Sequence, residues 1–209
     1  MWAIVVAAGR GERFGGPKQH QLIAGRSVVE RSVATARDAC DGVVVVLSPG
    51  DPGPVPLADV TVPGGATRSA SVRAGLAAVP GEAEVIVVHD AARPLAAAAL
   101  WRAAIDAVAR GADAALCAVA VTDTIKRVEG DRVVATLDRS ELVAVQTPQA
   151  FRAVALRRAH EQDADATDDG ALVEAAGGTV VLVPGSVVNV KITHPHDVLV
   201  AEALLSAKP

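Results

Sequence analysis

The residue types best suited to chemistry begin early, at Ala7-Ala8-Gly9-Arg10-Gly11-Glu12-Arg13, closed by Gly15-Gly16-Pro17-Lys18-Gln19. Glycines behind a strand let backbone N–H groups approach an anion closely, and Arg13 and Lys18 add fixed positive charge. Together they suit a polyphosphate cradle; the glycines alone describe an ordinary strand-to-helix turn. Two better-known phosphate loops do not match. A dinucleotide fingerprint needs G-x-G-x-x-G, whereas Gly9, Gly11 and Gly15 are spaced G-x-G-x-x-x-G and no acidic residue closes the second strand near Leu47. A Walker loop needs Gly-Lys-Ser/Thr, but Pro17 precedes Lys18 and Gln19 follows it.

A second group, Gly64-Gly65-Ala66-Thr67-Arg68-Ser69-Ala70-Ser71, sets glycines before a helix. Backbone there can meet a flat ligand, and the Ser71 hydroxyl can donate and accept; the same residues read equally as a capped helix after a turn. In His89-Asp90-Ala91-Ala92-Arg93-Pro94 a strand ends on a carboxylate suited to Mg²⁺, directly or through water, and an arginine suited to a phosphate. A plain Asp–Arg surface pair is the competing reading, and His89 reads as a core residue beside the site. Asp123-Thr124 opens and Asp138-Arg139 closes a two-stranded arm, which predicts that Thr124 and Arg139 are neighbours across its base. Gln146-Thr147-Pro148-Gln149 ends a further strand, Thr167-Asp168-Asp169 starts a helix, and Asn189-Val190-Lys191-Ile192-Thr193 precedes the last one. Alone, Thr167 reads as a helix cap and Lys191 as a solvated lysine. His194 and His196 have a metal-like spacing, but Pro195 between them marks a helix start.

These groups need a scaffold that brings loop ends together. Short unalternating apolar runs at Trp2–Ala7, Val43–Leu47, Val85–His89, Ala114–Val121, Val143–Gln146 and Thr179–Val183 read as strands buried on both faces. Helical spacing occupies Ser27–Ala39, Thr67–Val79, Leu95–Arg110, Ala150–Glu161, Asp168–Ala176 and Pro195–Ser206. Such alternation predicts an α/β fold with a mostly parallel twisted sheet flanked by helices, whose ligands sit beyond the carboxyl ends of the strands. The Pro/Gly-rich stretch 48–56 reads as an irregular connection. Residues 124–137 read as two alternating strands about Glu129-Gly130-Asp131, a protruding β-arm at about 121–141. A lone two-stranded arm is marginally stable in water, so a second subunit is its natural support.

Composition narrows the partners. The 209 residues suit one domain spanning 1–209, with 20 Lys+Arg against 24 Asp+Glu and a formal net charge of −4. Hydrophobic residues make up 51%, aromatics only 2%, and Tyr is absent, so the core must be Val, Ala, Leu and Ile. Without a basic field or stacking platforms, nucleic acid is excluded as a general partner. No apolar run approaches the ~20 residues that cross a bilayer, and Met1-Trp2-Ala3-Ile4 lacks a basic leader, so a cytoplasmic protein without membrane association is expected. Cys40 and Cys117 have neither metal nor redox spacing and read as reduced core residues.

Taken in order, Ala7-Ala8-Gly9-x-Gly11-x-Arg13 with Pro17-Lys18-Gln19, Gly64-Gly65 with Arg68 and Ser71, His89–Pro94, Asp123-Thr124-Ile125-Lys126, Asp138-Arg139, Thr147-Pro148-Gln149, Thr167-Asp168 and Asn189–Thr193 resemble the 2-C-methyl-D-erythritol 4-phosphate cytidylyltransferases. The resemblance runs from residue 3 to about 205. It implies a Rossmann-like nucleotidyltransferase fold and transfer of CMP from CTP to methylerythritol phosphate, with Mg²⁺. By position it places Ala7, Ala8, Gly9, Gly11, Arg13 and Lys18 around the triphosphate, with Gly64, Gly65 and Ser71 at the cytosine and Arg68 in the same nucleotide-binding block. Asp90 serves the metal-linked phosphates, and Ala91, Arg93, Thr124, Arg139, Thr147, Thr167 and Lys191 shape the sugar-phosphate and reaction site. Of these, Arg13, Lys18, Lys191 and Asp90 are the catalytic set. The resemblance also implies homodimers with interlocked arms, which opens the partner's active site to Thr124 or Arg139.

This chain departs from that pattern in three places. The stretch 48–56 replaces a helix-forming segment, Val188 stands where some members carry Asp, and His196 replaces Glu before Asp197. Ribitol-5-phosphate cytidylyltransferase is the nearest rival, and a non-catalytic nucleotide-binding module is the rival from another class. The second set of phosphate-binding residues after position 120 disfavours the module. The later blocks do not fit molybdenum-cofactor guanylyltransferases, and the glycine spacing disfavours a nicotinamide dehydrogenase.

Overall fold

The computed structural model describes residues 1–51, 53–161 and 164–207. In chain order its strands are β1 (Trp2–Ala7), β2 (Leu22–Ile23), β3 (Arg26–Ser27), β4 (Gly42–Leu47), β5 (Val60–Pro63), β6 (Val85–Asp90), β7 (Ala114–Ala120), β8 (Lys126–Glu129), β9 (Arg132–Thr136), β10 (Val143–Arg152) and β11 (Val180–Pro184). The helices are α1 (Val28–Ala39), α2 (Arg68–Ala78), α3 (Ala98–Ala109), α4 (Ala153–Ala159), α5 (Asp169–Ala175) and α6 (His196–Ser206). Seven strands form one sheet in the order β11-β7-β10-β6-β1-β4-β5. All neighbours run parallel except β10, which lies antiparallel to both β6 and β7.

Side chains alternate across a strand, so an unbroken apolar strand must find cover on both sides. Along β1, Ala3, Val5 and Ala7 join the core shared with Val33 of α1 and Trp101 of α3, while Ile4 joins Val72 and Leu76 of α2 and Leu156 of α4. Val43, Val45 and Leu47 go to the first core and Val44 and Val46 to the second. Each buried side chain of this size contributes roughly 1.5–3 kcal/mol. With few aromatics available, close packing rests on small residues: a Cβ on Gly75 of α2 would come within 2.5 Å of Ile4. Ser27 starts α1 with a reciprocal capping box, its hydroxyl accepting from Glu30 N while the Glu30 carboxylate accepts from Ser27 N.

Several expectations need correction. Helical spacing begins at Ala150, yet Ala150–Arg152 continue β10, where Phe151 pairs with Ile86 and fills the core; α4 starts only at Ala153. Leu95 and Ala96 belong to a turn before α3. The edge strand β5 and the two-residue pair β2–β3 were not expected; both are too short to display a period. The described part of 48–56 is irregular as expected, and Pro52 lies outside the described residues. The arm is the antiparallel pair β8–β9, its base closed by Leu137 N donating to Ile125 O.

Among the described residues no helix is long and apolar enough to cross a membrane. Cys40 and Cys117 are buried and free, and burial pushes both thiols up to about 12. Because the thiolate is the reactive form, neither should react with a thiol reagent at about pH 8 until the chain is unfolded. Stoichiometric labelling of the folded protein within minutes would contradict this packing.

Candidate active site

The carboxyl ends of β1 and β6, with the start of α2 and the segment before α6, surround a cleft of about 1040 Å³. Its first wall is the loop after β1. Gly11 has φ +67°, and a Cβ there would lie 1.8 Å from the Gly16 oxygen, so only glycine fits. The Gly11 carbonyl accepts from the N–H groups of Phe14, Gly15 and Gly16, which curls the loop toward Lys18. Gly9 meets no atom within 4 Å of an added Cβ, which leaves its side of the cleft clear.

The opposite wall is Gly64–Ser71. A Cβ on Gly64 would fall 2.3 Å from Ala8 Cβ and 2.8 Å from Ser71 Oγ, so the two walls touch at a point where no side chain fits. Ser71 Oγ accepts from Gly65 N at 3.2 Å and donates to the Thr67 carbonyl at 2.9 Å. Its hydroxyl is therefore committed to shaping the Gly64-Gly65 backbone.

Between the walls stands Asp90, at the end of β6. Its Oδ1 accepts from Arg68 Nε at 3.1 Å and its Oδ2 from Lys191 Nζ at 2.6 Å. Burial favours the neutral acid, but the adjacent Arg68 and Lys191 charges win and hold the carboxyl well below the usual range. Arg68 reaches on through Nη1 to Asp169 Oδ2 at 2.8 Å, and His160 Nε2 lies 3.0 Å from Asp169 Oδ1. Lys18 Nζ donates to the Ile192 carbonyl at 2.8 Å. Burial and then the nearby charges of Lys191 and Arg13 lower its pKa, so three cations share this space.

Behind Asp90, Thr147 and His89 form a fixed relay. The Arg93 carbonyl can only accept, so His89 Nε2 carries the proton of its 3.2 Å bond to it and Nδ1 must accept. The Thr147 hydroxyl therefore donates to Nδ1 at 3.1 Å while accepting from Asp90 N at 3.0 Å. Thr147 reaches this point because the register of β10 shifts between Gln146 and Gln149. Asn189, fully buried, donates through Nδ2 to the Gln146 Oε1 and the Thr147 carbonyl, and its main-chain carbonyl accepts from Arg93 Nη1.

Most of the sites read from the sequence converge. Ala7, Ala8, Gly9, Gly11, Arg13, Lys18, Gly64, Gly65, Arg68, Ser71, Asp90, Ala91 and Lys191 all line the cleft. Lys191 is thus an ion-pair partner and not a merely solvated lysine. Arg93 and Thr147 sit beside the cleft, tied into the relay. Thr124 and Arg139 are exposed at the arm, where Arg139 bonds the Thr122 carbonyl. Thr167 is exposed and does not cap α5; Asp168 does, its Oδ1 accepting from Ala171 N at 3.0 Å. His194 and His196 stack at 5.5 Å, the region is held by Asp197 accepting from Thr193 N and His194 N, and His196 is exposed. The sequence reading gave no role to His160 and did not foresee the pairing of Asp169 or of Asp51. Asp51, within the irregular stretch, accepts from Gln19 Nε2 and lies 2.8 Å from His20 Nε2, bracing the turn that carries Lys18. A lone acidic residue gives no local signal of such partners.

Among the described residues no group of three or more His, Cys, Asp or Glu side chains could hold a metal ion alone. Asp90 as a single carboxylate suits Mg²⁺, which binds one or two protein carboxylates and completes its shell with water and substrate phosphates.

The family model of 2-C-methyl-D-erythritol 4-phosphate cytidylyltransferase, IspD, matches residues 1–207. The chain belongs to this family. A cytidylyltransferase of that name from Streptomyces coelicolor is 43% identical over 99% of this chain and 85% of its own. The bifunctional enzyme IspD/IspF of Anaeromyxobacter dehalogenans is 48% identical over 98% of this chain, which spans only 56% of that protein. This chain thus spans about half the length of the bifunctional relatives it matches. The crystal structure of the Thermus thermophilus cytidylyltransferase superposes with a TM-score of 0.85 at 36% identity, covering 98% of each chain. The Rossmann-like nucleotidyltransferase architecture is thereby borne out.

In this IspD-family chain the relay predicts a pH dependence. Burial pulls the His89 pKa down to about 4, below about 6.5 for an unperturbed histidine. The unfolded chain therefore takes up the proton first. This contribution is fully present above about pH 6.5 and is lost as pH falls toward 4, up to roughly 3 kcal/mol. Urea unfolding should show that decline, and His89→Gln should flatten it; equal slopes in the two proteins would contradict a neutral buried His89.

Proposed function

We propose that the protein transfers CMP from CTP to 2-C-methyl-D-erythritol 4-phosphate, yielding 4-diphosphocytidyl-2-C-methyl-D-erythritol and pyrophosphate for isoprenoid precursor synthesis. The observation that carries this reading is the gathering of Arg13, Lys18, Lys191 and Arg68 in one glycine-walled cleft, the last two on the Asp90 carboxylate, in a chain of this family. In the reaction a phosphate oxygen of the acceptor forms a bond to the α-phosphorus of CTP, and the bond from that phosphorus to the bridging oxygen breaks as pyrophosphate leaves with its electron pair. The attacking oxygen is already anionic near neutral pH, so no general base is required. Positioning and charge neutralisation are the task, as in phosphoryl transfer generally.

In this reading Ala7, Ala8, Gly9 and Gly11 offer backbone to the triphosphate, with Arg13 and Lys18 neutralising it. Gly64 and Gly65 receive the cytosine, their path set by Ser71. Lys191 bridges to the acceptor phosphate, while Ala91, Arg93, Thr147 and Thr167 border the acceptor. Asp90, with the substrate phosphates, would hold Mg²⁺, which would add to the charge neutralisation. The chain acts as one cytidylyltransferase domain spanning 1–209 with its arm at about 121–141, in the cytoplasm. It forms a homodimer in which the arm brings Thr124 or Arg139 toward the partner's site. The apolar side chains of Val128 and Val133 on the arm and of Val143 and Val145 beside it, all exposed in the single chain, support that arrangement.

Pyrophosphate release should be seen with CTP and methylerythritol phosphate, and not when ribitol phosphate replaces the acceptor or another nucleotide replaces CTP. Product with ribitol phosphate alone would transfer the assignment to that acceptor; no product with any pair would overturn it. Lys18→Ala and Lys191→Ala should each lose about 10²–10³-fold in turnover while remaining folded, as expected for a preorganised charge contact. Near-normal turnover in either folded variant would remove that residue from the mechanism.

A further inference from the structure

Asp169, the first residue of α5, is fully buried and lies outside the cleft lining. A buried carboxylate is strongly unfavourable unless paired and hydrogen-bonded, and both of its oxygens are engaged: Oδ2 by Arg68 Nη1 at 2.8 Å and Oδ1 by His160 Nε2 at 3.0 Å. Pairing explains why the charge is tolerated there. It does not explain how Asp169 divides Arg68.

A guanidinium can grip a carboxylate through two parallel N–H groups, side-on with Nε and Nη2 or end-on with Nη1 and Nη2. Arg68 forms neither fork. Nε makes one bond to Asp90 Oδ1 at 3.1 Å, Nη1 makes one bond to Asp169, and Nη2, common to both forks, is buried with no partner among the described residues. The two carboxylates pull on different edges of one rigid plane. Asp90 Oδ2 is consequently left to Lys191 at 2.6 Å.

We propose that Asp169 is a positioning residue for nucleotidyl transfer: its hold on Arg68 Nη1 prevents a bidentate Arg68–Asp90 pair and so keeps Asp90 shared with Lys191. The inference rests on the function proposed above. Without the Asp169 charge the guanidinium has one anionic partner, and the bidentate grip is the stronger and geometrically preferred one. Asp90 would then give both oxygens to Arg68 and release Lys191.

Asp169→Asn removes the charge and nearly keeps the volume; Asp169→Ser makes the same test with less bulk should the asparagine form not fold. The folded variant should lose about 10–100-fold in turnover with CTP and methylerythritol phosphate, the usual cost of removing a group that orients a site residue. Repeated in an Arg68→Met background, the same substitution should change turnover by less than about twofold, because no guanidinium remains to be released. Crystal structures of the unsubstituted protein and the variant should show one Arg68–Asp90 bond in the first and two in the second. Equal losses in both backgrounds, undiminished turnover, or a variant crystal retaining the single bond would each overturn the proposal. If the unsubstituted protein turns over no substrate pair, the functional reading fails instead, and the crystal comparison alone decides the role of Asp169.

Discussion

The Asp90 carboxylate, held between Arg68 and Lys191, is the point on which the site depends. Its two ion pairs join residues from three distant parts of the chain: the end of a central strand, the start of α2 and the segment before α6. In water such pairs would be worth little, but here the carboxylate is largely shielded, and removing any one partner leaves an uncompensated charge. Around this anion the protein collects more positive charge than it needs. Arg13 and Lys18 find no carboxylate in the hydrogen bonds that hold Asp90, and Lys18 is fixed by a carbonyl alone. A cleft built in this way is electrostatically unbalanced in favour of an anionic ligand.

Backbone geometry supports that imbalance. Gly11 and Gly64 are required by collisions with the protein itself, whereas at Gly9 nothing in the protein forbids a side chain. Gly11 lets the first wall close on itself and Gly64 lets the two walls meet, while Gly9 keeps a face of backbone bare. Ser71 and Thr147 act in a similar supporting way, each hydroxyl both donating and accepting within the protein. Rigidity of this kind spares the site reorganisation when charge develops on a bound phosphate.

How much of this could be read in advance followed the range of the interactions. The glycine and cation clusters were legible because a loop after a strand is local, and its residue types already state what they can bind. The central strands were legible because burial on both faces leaves unbroken apolar runs. By contrast, the continuation of β10 through Ala150–Arg152 was hidden, since Ala, Phe and the following Leu156 suit either a strand or a helix until Ile86 is seen opposite Phe151. Thr167 reads as the cap on paper, and the hydrogen bond from Ala171 N shows that its neighbour Asp168 caps the helix instead. The pairings of Asp51 and Asp169 were invisible because Gln19 and Arg68 lie far along the chain, and His160 gains its meaning only once Asp169 is held by Arg68.

The antiparallel strand β10 has a consequence for how the chain must assemble. It lies between β6 and β7, so those two strands have no hydrogen-bonded contact with each other, and each presents an open edge until the later strand arrives. Pairings of this sequence separation are slow to form because the intervening loop must be closed first. During synthesis, β1, β4 and β6 can already associate while the edge of β6 stays bare, a template for mispairing with other chains. Insertion of residues 143–152 closes that edge and carries Thr147 to Asp90 in the same event. Closing the β6 edge and bringing Thr147 to Asp90 are therefore one event, with β11 and Lys191 still to follow from later in the chain, and a chain interrupted before β10 would lack that contact and be prone to aggregate.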